Sequence, residues 1–281
     1  MKYFKSLLLM STLLLLSACS SVPLTGRKQL SLVSNQEVMT LSLQQYDEFM
    51  KDAKLSTDAA NTALVVKVGR NIANAVETYL KNNGKGDLIA SYSWEFHLVK
   101  SPEVNAFCMP GGKIVVYEGI LPYTRDETGL AVVLGHEVSH AVARHANERM
   151  SQQLASQLGG VALGVAMSNQ KQETQEMAMA VYGLGSQVGI LLPYSRKQES
   201  EADHLGLIFM AMAGYDPREA PVFWERMAQQ GGKTPELLST HPSDQTRERD
   251  LQKELPEALK YYKGHGQVNT NSPKTSTKWS F

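Results

Sequence analysis

The chain of 281 residues is poor in cysteine: Cys19 and Cys108 are its only two, so one disulfide at most is possible and stability must come from a hydrophobic core. It also lacks an excess of either charge. Twenty-eight Lys and Arg face 28 Asp and Glu, which leaves no basic field for nucleic acid. Apolar runs long enough to cross a bilayer, roughly 20 residues, are missing as well. No helical-repeat period follows Leu255, so a repeat extension is not expected.

What is present is concentrated in five residues, His136-Glu137-Val138-Ser139-His140. On a helix an i, i+4 pair lies about 40° apart, so both imidazoles project from one face and can grip one ion. Two neutral histidines beside a carboxylate are the needs of zinc-assisted peptide hydrolysis: two ligands, and a base for the attacking water. The surroundings predict the helix. Thr124 and Glu127 read as a capping box, and Leu130, Val133, Leu134, Val138, Ala141 and Val142 recur at helical spacing, giving a helix from about Thr124 to Met150.

A catalytic zinc site needs a third protein ligand and an open fourth position. Glu199 is the best candidate. After Pro193 a second helix should run through Leu205, Ile208 and Met212 to a stop at Gly214, with Glu199 and Asp203 on one face. Glu201 falls about 200° from Glu199 and points elsewhere. Asp203 would orient a ligating histidine through its ring N–H.

Together these residues resemble a family. The histidine motif, Tyr194-Ser195-Arg196 with Glu199-x-x-x-Asp203, the segment Val104 to Leu121, and Thr240-His241-Pro242-Ser243 with Arg247 resemble the HtpX and BepA-type gluzincin peptidases, which include the CAAX prenyl endopeptidase and the mitochondrial Oma proteases. The resemblance spans about Val33 to Leu255, and departs from the family at Cys108, where a smaller residue is more usual. It implies zinc held by His136, His140 and Glu199, Glu137 as general base and Asp203 as a supporting acid. His241 and Tyr194 are candidates for stabilising the oxyanion, and His241 could instead fill the open zinc position and hold the enzyme latent. His97 and His145 are assigned no chemistry.

The segment before the metal helix alternates Tyr92, Trp94, Phe96 and Leu98 with Ser93, Glu95 and His97, a strand with one apolar face. Pro110-Gly111-Gly112 joins two more short strands, of which Asn105 to Met109 is the candidate edge for aligning an extended substrate by its backbone. Ser34 with Glu37 caps a helix through Met50. Leu64, Val68, Ile72, Val76 and Leu80 mark another that ends near Gly84, and Asp216-Pro217 opens one closed by Gly231-Gly232. Helices around a small sheet make the fold class α+β, a mainly helical zincin-type domain.

Lys2 and Lys5 precede the apolar run Leu7 to Leu16 and then Leu16-Ser17-Ala18-Cys19, which resembles a bacterial lipobox. Cleavage before Cys19 and its lipidation are expected, and Ser20 in the next position points to the outer membrane with the domain facing the periplasm. The expected organisation is a signal peptide 1–18, a lipidated linker 19–33, a metallopeptidase domain 34–263 and a disordered tail 264–281. Leu154 to Met167 and Met177 to Leu192 read as a helical hairpin packed on the domain or covering the cleft, with a membrane surface or membrane-protein substrate as the alternative partner. The sequence thus describes a zinc endopeptidase acting on misfolded or misassembled envelope proteins, with possible links to outer-membrane assembly machinery. The alternative is a zinc-holding binding or assembly factor that rarely cleaves, for which Glu137 would serve no purpose.

Overall fold

The computed structural model describes residues 19–187, 191–229, 237, 241 and 247–264, without the side chains of Cys19, Pro193 and Tyr194. The leader, the tail beyond Gly264, the Gly231-Gly232 stop and the Tyr194 ring therefore lie outside the described residues. The domain is α+β. A two-stranded antiparallel sheet, β1 (Cys19–Ser21) and β2 (Lys28–Leu30), precedes helices α1 (Asn35–Asp52) and α2 (Ala59–Asn82). Ser34 caps α1 in the expected box: its hydroxyl accepts from the Glu37 N–H, and the Glu37 carboxylate accepts from the Ser34 N–H. On α2, Val68, Ile72, Val76 and Leu80 are buried as the periodicity predicts.

Three strands follow, β3 (Glu95–Val99), β4 (Ala106–Met109) and β5 (Lys113–Tyr117), in the order β3-β5-β4. β5 runs parallel to β3 and antiparallel to β4, which leaves β4 as an edge strand. Gly111 and Gly112, at φ +92° and +86°, make the reversal between β4 and β5 in a backbone region that side chains disfavour.

The metal-motif helix is shorter than the sequence suggests. Thr124 ends a separate turn, α3 (Leu121–Thr124), and its hydroxyl donates to the Leu121 carbonyl rather than capping the next helix. Asp126 is the cap of α4 (Glu127–Val142), accepting from the N–H groups of Thr128 at 2.8 Å and Gly129 at 3.0 Å. The far end is also displaced from Met150. Arg144 adopts a left-handed conformation, φ +59°, and starts α5 (His145–Met167) in a new direction. The hairpin is completed by α6 (Gln172–Ser186), then come α7 (Leu192–Met212), α8 (Glu219–Ala228) and α9 (Arg247–Ala258).

The core lies between α2, α4, α7 and the sheet, around Ile72, Ile114, Leu130, Leu134, Leu205 and Phe209, all buried. The hairpin departs from the expectation of a packed cover. Its two helices meet through Tyr182, whose hydroxyl donates to the Ser156 carbonyl, yet Leu158, Val161, Val165, Met177, Val181 and Leu184 are each between 58% and 71% exposed.

Candidate metal centre

Helices α4 and α7 cross at glycine. A Cβ on Gly135 would sit 2.9 Å from the Gly206 carbonyl oxygen, and one on Gly206 would sit 2.9 Å from the His136 nitrogen, so only glycine lets the backbones approach this closely. That contact carries Glu199 and Asp203 of α7 to the histidines of α4. The Nε2 atoms of His136 and His140 lie 3.1 Å apart, and the Glu199 carboxylate is 3.2 Å from the first and 3.4 Å from the second. Ligand atoms of His136, His140, Glu199 and His241 all fall within 4.8 Å of one another, and all four residues are buried. The three residues read from the sequence as ligands are thus brought together, and His241 joins them.

The outward nitrogen of each α4 histidine is already engaged. His136 Nδ1 is 2.8 Å from Asp203 Oδ1, the role expected of Asp203, and His140 Nδ1 is 2.8 Å from His145 Nδ1. Donation from both Nδ1 atoms leaves two Nε2 lone pairs facing each other and a carboxylate, an acceptor-only cluster that a cation resolves. Imidazole nitrogen and carboxylate oxygen in this number suit zinc. The electrostatics agree. Burial alone would lower His136, but its bonds to Asp203 and Glu199 raise it to about 9, so positive charge is drawn to this point. Burial would raise Glu199, but His140, His136 and His241 hold its carboxyl far below the usual range. Asp203 is likewise held low against its burial by Arg247 and His136.

Glu137 is buried next to the cluster, and its Oε1 has no hydrogen-bond partner among the described residues. His241 Nε2 is 3.3 Å from that oxygen, and His241 Nδ1 is 3.1 Å from Glu199. The His241 backbone N–H donates to the Leu237 carbonyl, and Leu237 N–H to the carbonyl of Val104, just ahead of edge strand β4. The Cys108 thiol is pushed well up by burial, with a further push from the Glu137 carboxylate.

Some of the site was not readable in the sequence. Arg247 grips Asp203 through Nε at 2.8 Å and Nη2 at 2.6 Å while its guanidinium stacks 3.5 Å over the Trp224 ring. His145, assigned no chemistry from the sequence, is fully buried, bonded to His140 and, at 3.0 Å, to Glu201. A histidine five positions after His140 would lie about 140° around a continuous helix, so only the break at Arg144 brings it back.

A model of Peptidase family M48 matches residues 67–255, more than half of the chain. The mitochondrial metalloendopeptidase OMA1 of Schizosaccharomyces pombe is 37% identical over 250 residues, covering 84% of this chain and 66% of the relative. Human OMA1 is 33% identical over 247 residues, 85% of this chain and 46% of its own length. The beta-barrel assembly-enhancing protease of Escherichia coli K12 is 32% identical over 162 residues, 56% of this chain and 33% of the relative. The chain thus spans between a third and two thirds of these relatives' lengths. The matched span holds the two α4 histidines, Glu137, Glu199, Asp203, His241 and Arg247, the residues that carried the sequence resemblance, and the chain belongs to peptidase family M48.

Proposed function

We propose that this chain is a zinc-dependent endopeptidase of the bacterial cell envelope that cuts unfolded or misassembled polypeptides, with His136, His140 and Glu199 as ligands. The observation that carries the reading is the buried carboxylate of Glu137, whose Oε1 has no hydrogen bond among the described residues and faces His241 Nε2 at 3.3 Å beside the donor cluster. A site built only to hold an ion would leave no such base at its edge. Zinc, when bound, supplies Lewis acidity for the scissile carbonyl and its attacking water. Glu137 takes the proton from that water and returns it to the leaving amine. Asp203, fixed by Arg247, holds the His136 ring with Nε2 facing His140 and Glu199, where it would ligate zinc. Edge strand β4 aligns an extended substrate through its backbone, which reads shape rather than side chains and favours unfolded chains.

The address is supported by the Leu16-Ser17-Ala18-Cys19 lipobox, which ties the chain through lipidated Cys19 to the outer membrane on its periplasmic side. Among the described residues no helix is long and apolar enough to cross a membrane. The similarity to a beta-barrel assembly-enhancing protease supports misassembled outer-membrane proteins and their assembly machinery as the setting.

The test is cleavage of an unfolded protein by the zinc-loaded chain, with Glu137→Gln as the comparison. Loss of cleavage with zinc retained is expected. Absence of cleavage by both proteins at full zinc occupancy would favour the zinc-holding assembly factor instead.

A further inference from the structure

The two α4 histidines are supported differently. His136 leans directly on a carboxylate, Asp203, whereas His140 leans on a second imidazole, and the carboxylate stands one ring further back. Glu201 is that carboxylate, on the opposite side of α7 from Glu199. It accepts from His145 Nε2 at 3.0 Å, from Arg27 Nε at 2.8 Å and from the Thr25 hydroxyl. The two remaining nitrogens of Arg27 meet both oxygens of Glu148, at 2.8 and 2.7 Å, and Gln198 donates to the same carboxylate at 2.8 Å. His145, Glu148 and Glu201 are fully buried.

Direction is set by the chemistry of the donors. Arg27 can only donate, so Glu201 Oε2 accepts from it, and His145, which faces the same oxygen, points its Nε2–H at it. That choice of tautomer leaves His145 Nδ1 as an acceptor, which in turn makes His140 carry its proton on Nδ1 and present the Nε2 lone pair to the metal. Two buried carboxylates, Glu201 and Glu148, thus share the Arg27 guanidinium behind the ligand. The cation arrives from the turn between β1 and β2, where Gly26 at φ +72° makes the reversal. The same segment is fastened a second time by the N–H groups of Leu32 and Val33 on Ser151 Oγ.

We infer that His145, with Glu201 and Arg27 behind it, is a positioning residue of the metal centre: a carboxylate–imidazole–imidazole line that fixes the tautomer and orientation of His140 and makes its hold on zinc depend on the docked N-terminal segment. The inference rests on His140 being a metal ligand. Arginine, glutamate and histidine buried at this depth need mutual satisfaction in any fold, but only the histidine's second nitrogen needs to face His140, and it does so at 2.8 Å.

Zinc affinity by chelator competition, and the visible spectrum of the cobalt(II)-substituted full-length chain, test this in His145→Ala, Glu201→Gln and His140→Ala. His145→Ala should lose about 10- to 100-fold in zinc affinity and shift the cobalt bands, the usual scale for the outer support of a ligand. Glu201→Gln, which keeps the size and one acceptor oxygen, should move both readouts the same way by less. At saturating zinc, kcat should fall in both with KM held. Unchanged affinity and cobalt bands in both variants, with only the thermal midpoint lowered, would overturn the positioning role. Unchanged affinity in His140→Ala would overturn the metal-site reading itself, and the relay with it.

Discussion

At the scale of single residues, His241 has two candidate roles that predict opposite signs. Its ring sits among the metal-donor atoms, 3.2 Å from His136 Nε2 and 3.1 Å from Glu199, in the space a substrate carbonyl and water would need. His241→Ala should therefore raise proteolysis, by about tenfold if occupancy of that space is worth about 1.4 kcal/mol. A fall of about 10²-fold would instead mark it as a donor to the oxyanion. Away from the site, Glu95 holds the buried ammonium of Lys113 and accepts from the Tyr46 hydroxyl at 3.1 Å. The Lys113 hydrogen bond lowers the Glu95 carboxyl below its ordinary 4.5, against a smaller effect of burial. The unfolded chain then takes up the proton first, so this contribution to stability is complete above about 4.5 and is lost as the pH falls through the lower folded value. Glu95→Gln should cost about 1 kcal/mol or less at neutral pH, because the Glu95 side chain is 44% exposed and solvent-screened and Lys113 keeps the Ser93 carbonyl at 3.0 Å. In urea unfolding the gap to the parent chain should close below pH 4.5, and a gap that widened there would refute the assignment.

At the scale of elements, the crossing of α4 and α7 decides whether a site exists. α4 carries His136 and His140 and α7 carries Glu199, and the approach of the two helices is limited by backbone contact at Gly135 and Gly206. Gly206→Ala places a methyl 2.9 Å from the His136 nitrogen, and the helices must separate or shift to admit it. The expected cost is about 1–3 kcal/mol of stability, the usual range for overpacking. Zinc affinity should fall with it, because the same displacement carries Glu199 away from His136. Thermal unfolding and chelator competition on the one variant measure both. A stability loss with zinc binding intact would mean that the helices relax elsewhere.

At the scale of the whole molecule, the α5–α6 hairpin is the outlier. Val161, Val165, Val181 and Leu184 are 65–71% exposed, whereas no large apolar side chain on the other described helices exceeds the 49% of Val222. Their replacement together by Ser or Asn removes little burial, so the thermal midpoint should stay within the change caused by about 0.5 kcal/mol per site, while binding of a hydrophobic dye should drop. A large loss of stability would show that these side chains pack in solution.

The sequence by itself determined the local elements and most of the side chains that gather at the candidate site. The Ser34–Glu37 box, the buried stripe of α2, the strand pair around Gly111-Gly112 and the His136, His140, Glu199 and Asp203 set were all legible, because caps, periodicity and i, i+4 spacing are short-range properties of the chain. The ends of the metal helix were not. Asp126 competes with Thr124 for the cap, and a left-handed Arg144 has no residue signature, since arginine seldom adopts it. Only the tertiary structure decided which side chains besides Asp203 stand behind the ligands. Arg27 and Glu148 are 121 residues apart, and Arg247 and Asp203 are 44 apart, so no spacing rule joins them. They meet because burying one charged group in a low-dielectric interior requires another of opposite sign beside it, and the packed fold alone sets which one is near.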